Sequence, residues 1–289
     1  MKLPQFDYAS PRSLDEAIAL LAANDGAKVL SGGQSLLPVM AFRLSYPSML
    51  VDLRQIEGLN RITISEEGVR LGARVRWYDI EINRDLQNAH PLIAEMISHV
   101  AHFQVRHRGT VGGSLAHADP SAEMPGLAVV CDCDIVVRGS AGERILAAAD
   151  FFKGSLETAL LHDEIIVEVR FPPWKPQRRW GFQEFARRRG DFAIAGVAAY
   201  FDLDPDGRIV DAHVGAIGVS DAPQRLPAVE MCLNGQRMTG DVIAEARDAA
   251  RGAIAEPLQD IHAPADYRVA LLGTLTERVL QNAMGANRP

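Results

Sequence analysis

Two glycine-rich turns hold the residues best suited to chemistry in this chain. They are Ser31-Gly32-Gly33-Gln34-Ser35-Leu36-Leu37-Pro38 and Thr110-Val111-Gly112-Gly113-Ser114-Leu115-Ala116-His117-Ala118-Asp119-Pro120. Each sets a Gly-Gly pair among small hydroxyl side chains. Glycine adopts φ > 0 freely and lets a ligand come close to the backbone. Consecutive N–H groups can then converge on an anion without help from a lysine. The Ser35 and Thr110 hydroxyls suit phosphate oxygens, while Asp119 and Glu123 offer carboxylates to ligand hydroxyls. Singly, each pair reads equally well as a tight turn. Together they suggest two clamps on one extended, pyrophosphate-containing, nucleotide-like ligand.

Other chemistries find less support. No Lys-Ser/Thr follows the first glycines, so the turn is not a P-loop, and the G-x-G-x-x-G order of a Rossmann turn is missing. His99, His102, His107 and His117 lie close in sequence but match no metal-binding spacing. No Ser/His/Asp triad or nucleophile elbow is legible, and no catalytic residue stands out. Cys131, Cys133 and Cys232 are the only cysteines, too few for a zinc site or a four-cysteine cluster, and the first two read as small buried side chains. A third segment, Arg189-Gly190-Asp191-Phe192-Ala193-Ile194-Ala195-Gly196, has two readings. It starts a strand with Phe192 in the core, or it brings an aromatic ring against a planar cofactor.

The elements that would position these residues form an α+β pattern. Ser13 and Glu16 make a capping box for a helix with Leu14, Ile18 and Leu21 on one face. Strand-like runs follow at Ala27-Lys28-Val29-Leu30 and Met49-Leu50-Val51-Asp52-Leu53, closing a first subdomain over residues 1–58. Residues 59–174 form a second unit, with strands at 69–73, 134–138 and 165–171 and a helix over 92–102 that leads into the second turn. Pro172-Pro173-Trp174-Lys175-Pro176-Gln177-Arg178-Arg179, dense in proline and charge, reads as a linker with the domain boundary near Trp174 to Gln177. Beyond it, residues 178–289 hold a hairpin, 192–203 with 209–219, turning at Asp204-Pro205-Asp206-Gly207. Two helices follow, near 242–255 and 265–284.

Composition bounds the answer further. A length of 289 residues calls for two or three packed units, and 47% apolar with 23% charged residues is ordinary for a globular protein. A formal net charge of −7 argues against nucleic acid as the default partner. Neither a signal-peptide core nor a run long enough to span a membrane is visible, and three reduced cysteines fit the cytoplasm.

The two glycine turns in this order, followed by the Arg-Gly-Asp-Phe-Ala segment, resemble the flavin-binding medium subunits of molybdenum-containing hydroxylases. That family includes carbon monoxide dehydrogenase medium chains and the flavin subunits of xanthine dehydrogenases. The resemblance runs from Phe6-Asp7-Tyr8 through Tyr267-Arg268. It implies a p-cresol methylhydroxylase-like FAD-binding region of two subdomains, then a C-terminal domain of three antiparallel strands and a helical bundle. Ser31, Gly32, Gly33, Gln34 and Ser35, with Thr110, Val111, Gly112, Gly113 and Ser114, would wrap the FAD pyrophosphate. Glu123 stands where relatives commonly carry an aspartate that bonds the cofactor's polyol. Phe192 stands where some place a tyrosine against the isoalloxazine, and Ile166 is expected to touch the ring as well.

The implied role is an electron-transfer subunit of an oxidoreductase. A large partner would carry the molybdenum cofactor, and a small partner with two [2Fe-2S] clusters would feed electrons to this chain's non-covalent FAD. The assembly would be a dimer of heterotrimers delivering electrons to an external acceptor. Some relatives insert an iron–sulfur loop in this subunit, for which three cysteines do not suffice. Arg187, Arg188 and Arg189 are candidate contacts for FAD phosphate or a partner. The alternatives are a stand-alone flavin oxidoreductase of the p-cresol methylhydroxylase-like superfamily and a flavin-free assembly scaffold.

Overall fold

The computed structural model describes residues 2–285, which build three larger sheets in succession and a two-stranded one, Phe152–Gly154 with Glu157–Thr158. The first is parallel, with Met49–Asp52 between Asp7–Ala9 and Ala27–Leu30. Helix Leu14–Ala22 is the crossover between its first two strands, capped by Ser13 through a 3.2 Å bond from the Glu16 N–H to Oγ. Ala17, Ile18 and Leu21 bury its apolar face against the sheet, as their spacing demands.

The second sheet is antiparallel, in the order Ile62–Ser65, Gly68–Gly72, Ile165–Phe171, Asp134–Gly139, Gly142–Ala147. Helices Pro91–His99, Val111–His117 and Glu123–Val130 share its core with Leu71, Ile135 and Val169. The expected helix over 92–102 ends early. Ala101 has φ +42°, and the Arg106 guanidinium donates to the carbonyls of Val100 and Ala101 at 3.2 and 3.0 Å. A separate turn of helix, Phe103–Arg106, follows.

The third sheet is antiparallel: Arg179–Phe185, Ala195–Leu203, Ile209–Ile217 and Gln224–Arg225. The expected three strands are therefore joined by a fourth, two-residue strand held to Gly215 and Ala216. Alternation along the second strand splits its burial between two cores. Ala195, Val197, Ala199 and Phe201 face helices Gly240–Gly252 and Ala265–Gly285, while Ala198 and Tyr200 join the core of the preceding unit. Helix Pro227–Leu233, which the sequence reading passed over, begins with a proline at its first turn.

Close approach of elements sets where glycine is required. A side chain at Gly126 would run into Ile217, so helix Glu123–Val130 lies directly on the third sheet, and all eight of its residues are buried. The linker is anchored rather than loose: the Trp174 ring lies tilted against His90 at 4.2 Å and meets Tyr200 edge-on at 5.2 Å, with the Arg178 guanidinium over its ring.

Candidate functional site

The two glycine turns meet. Ser31 Oγ and Thr110 Oγ1 are 3.0 Å apart, although 79 positions separate them in sequence. A side chain at Gly32 would collide with the Arg108 carbonyl and reach the Gly109 Cα at 2.9 Å, so glycine is what lets the turns close on one another. Gly33 follows with φ +70°, left-handed backbone that favours glycine.

The two turns then divide the labour. Among the described residues, the N–H groups of Gly32, Gly33, Gln34 and Ser35 donate to no protein acceptor. The Ser35 hydroxyl makes no capping bond to the helix Leu36–Ala41 that it precedes. Four adjacent amides and a free hydroxyl are left as unspent donors, the kind of set that binds an anion. In the second turn the donors are spent internally. Val111 N–H donates to Val75 O at 2.9 Å, Gly112 N–H to Ala73 O at 2.8 Å, Ser114 N–H to Thr110 O at 3.0 Å, and Gly113 N–H to Thr110 Oγ1 at 3.3 Å. The turn is the first coil of helix Val111–His117, capped by Thr110. A Cβ on Gly112 would stand 2.6 Å from that of Ala73. This glycine therefore seats helix Val111–His117 against the end of strand Gly68–Gly72.

The other candidates are dispersed around this pair. Glu123 is the first residue of helix Glu123–Val130 and only 7% exposed. Burial, reinforced by the nearby Glu184 carboxylate, lifts its pKa to about 8, so it is largely protonated at neutral pH. Phe192 contradicts the reading that put it at a strand start in the core. The strand begins at Ala195, and Phe192 is 63% exposed on the preceding loop. That loop folds over the segment after the broken helix: Gly190, at φ +85°, packs on the Ala101 carbonyl. Residues 101–109 thus run from contact with the Phe192 loop to contact with Gly32. Ile166 is 4% exposed and packed in the second sheet's core. Arg187 donates to the His262 carbonyl at 3.2 Å, and Arg188 and Arg189 are exposed. No group of three metal-ligating side chains occurs among the described residues, and no helix there is long and apolar enough to cross a membrane.

Beside Glu123 the sequence reading passed over Glu184 and weighed His99 only as a metal ligand. His99 Nδ1 lies 3.3 Å from Glu184 Oε1, and its Nε2 lies 3.6 Å from Glu95. Those two carboxylates raise the His99 pKa to about 9, which keeps the ring cationic at neutral pH. No motif marks either residue, because they meet only through the packing of the third sheet on the second unit.

Residues 4–174 match the FAD binding domain in molybdopterin dehydrogenase, and residues 180–283 match the CO dehydrogenase flavoprotein C-terminal domain. This chain belongs to the flavoprotein medium subunits of molybdenum hydroxylases. The nicotine 6-hydroxylase medium subunit of Paenarthrobacter nicotinovorans is 39% identical over 98% of this chain and 99% of its own. The carbon monoxide dehydrogenase medium chain of Hydrogenophaga pseudoflava is 34% identical over 97% of each. Among solved structures, a chain of quinoline 2-oxidoreductase from Pseudomonas putida 86 superposes with a TM-score of 0.94 at 39% identity, covering 100% of both chains. As an oxidoreductase subunit of this family, the chain carries an FAD-binding domain. The residues present fit that group: the donor set at 32–35 suits a pyrophosphate, and a protonated Glu123 beside an ionisable partner suits hydroxyls, which both donate and accept.

Proposed function

We propose that this medium subunit holds FAD across the joined glycine turns and relays electrons within a larger molybdenum hydroxylase. The observation that carries the reading is the contact of Ser31 with Thr110, which converts two distant turns into one cradle with unspent amide donors on one side. Gly32, Gly33, Gln34 and Ser35 would hold the pyrophosphate, with Thr110, Val111, Gly112, Gly113 and Ser114 as the wall against which that loop is set. Glu123 would bond the polyol, and Phe192 would cover the ring from its exposed loop. Ile166 would support the ring from the core. Bound FAD supplies a carrier that accepts electrons singly and surrenders them to a different acceptor.

This chain's own contribution is binding, orientation and exclusion of water. No side chain here is assigned to bond-making chemistry, which belongs to the partners. Those partners are proposed as a molybdenum-cofactor subunit and a [2Fe-2S] subunit, paired as a dimer of heterotrimers in the cytoplasm with an external acceptor.

The test is to purify the full chain alone and with the products of neighbouring genes, and to measure FAD content, subunit composition and substrate-dependent flavin bleaching. FAD in the chain, with bleaching only in the complex, is the expected result. Turnover by the isolated chain would instead make it a self-sufficient oxidoreductase, and absence of flavin from both preparations would leave a scaffold.

A further inference from the structure

Glu184 is the residue whose surroundings the cradle leaves unexplained. Its side chain is 5% exposed, yet Oε2 has no hydrogen-bond partner. A buried, unpaired acceptor costs about 1–3 kcal/mol, so a structure that keeps one calls for an explanation. Oε1 faces the cationic His99 ring at 3.3 Å, which leaves the other oxygen without a donor.

Its position is set by three elements. Strand Arg179–Phe185 pairs Glu184 with Gly196, where a side chain would crowd the Glu184 Cβ at 3.2 Å and Ile217 Cγ1 at 2.8 Å. Ile217 is also the side chain on which Gly126 of helix Glu123–Val130 rests. Glu184 is therefore brought to the first turn of that helix, near enough to add to the elevation of the Glu123 pKa. One residue further, the Ile194 N–H donates to Phe185 O at 2.8 Å, closing the base of the loop that carries Phe192. Glu184 thus stands between the residue assigned to the polyol and the loop assigned to the ring.

We propose that Glu184 is a second carboxylate ligand of the FAD, accepting a hydrogen bond on Oε2 from a hydroxyl of the polyol chain beside Glu123. The inference rests on the flavoprotein reading above. A chain of hydroxyls needs neighbours of both kinds. Protonated Glu123 can donate as well as accept, while Glu184 has Oε1 turned to His99 and offers Oε2 as an acceptor without a partner. Glu95, on the outer side of His99, completes the set that holds the ring in its cationic form.

The experiment uses the full chain freed of flavin, titrated with FAD and separately with ADP, which keeps the pyrophosphate but lacks polyol and ring. Glu184→Gln keeps the shape and removes the charge, and Glu184→Asp keeps the charge and withdraws the oxygen by one methylene. Each variant is expected to weaken FAD about tenfold, close to 1.4 kcal/mol, and to leave ADP affinity unchanged. FAD affinity within twofold of the original in both variants overturns the proposal. An equal loss of FAD and ADP overturns it too, since that marks a structural role. An unsubstituted chain that binds ADP but not FAD removes the flavoprotein reading itself, an outcome distinct from the other two.

Discussion

Gly32 and Gly112 look alike in sequence and differ in what surrounds them. The missing side chain at Gly32 leaves room for the Arg108 carbonyl, and with it the closure of the two turns. Gly32→Ala is expected to push the turns apart and to cost at least tenfold in FAD affinity with little change in helix content. The missing side chain at Gly112 leaves room for Ala73, in the turn just after strand Gly68–Gly72. Gly112→Val overpacks that contact and is expected to destabilise the chain by about 1–3 kcal/mol, with flavin loss following from the fold. Thermal melts and flavin titrations of the two variants, side by side, separate these effects, and equal melting points would contradict the distinction. The sequence marks both glycines as places where backbone is needed. It does not say whether the neighbour is a ligand or the chain itself, because that depends on which amides are already bonded.

At the scale of elements, three of them bring acidic side chains and one imidazole together. Helix Pro91–His99 brings Glu95 and His99, helix Glu123–Val130 brings Glu123, and strand Arg179–Phe185 brings Glu184, with Asp119 close by. Glu123 keeps its proton in the fold up to about pH 8, whereas an unfolded glutamate loses it near 4.5. The unfolded chain then binds fewer protons, so stability falls as pH rises between those values. His99 adds a loss in the same direction between its ordinary 6.5 and about 9. The melting temperature of the flavin-free chain is therefore expected to fall from pH 6.5 to 9, and more gently in Glu123→Gln. A flat profile in the unsubstituted chain would contradict this. Much of the element layout was legible. Ala27–Leu30 and Ile165–Phe171 stand where their apolar runs put them, bounded by Gly and Pro. The helix break at Val100 and Ala101 was not, since no Gly or Pro marks it and Arg106 holds it from downstream. Phe192 was misjudged for a related reason. The apolar run continues past the true strand start, and the loop is fixed by Gly190 packing on Ala101.

At the scale of the molecule, Trp174 ties the last sheet to the rest. Its ring meets His90 from the second unit and Tyr200 and Arg178 from the third. Trp174→Ala removes a half-buried aromatic and is expected to cost about 2 kcal/mol, below the figure for a fully buried tryptophan. Faster proteolytic cleavage at 172–177 is the accompanying sign, and a cleavage rate equal to the parent's would show the linker to be held by other contacts. In sequence this stretch reads as a spacer because prolines and charges dominate it, while aromatic partners far along the chain cannot be seen.

Helix Glu123–Val130 has a consequence for how the chain is made. Its outer side is covered by Ile209–Ile217, a strand that begins about 80 residues later. At a ribosomal rate on the order of 5–20 residues per second, roughly 4–16 seconds pass before that cover exists. During that interval a helix with scarcely a polar side chain is open to whatever it meets. Nascent chains paused before the third sheet should therefore be the ones that chaperones hold and that aggregate when synthesis stalls.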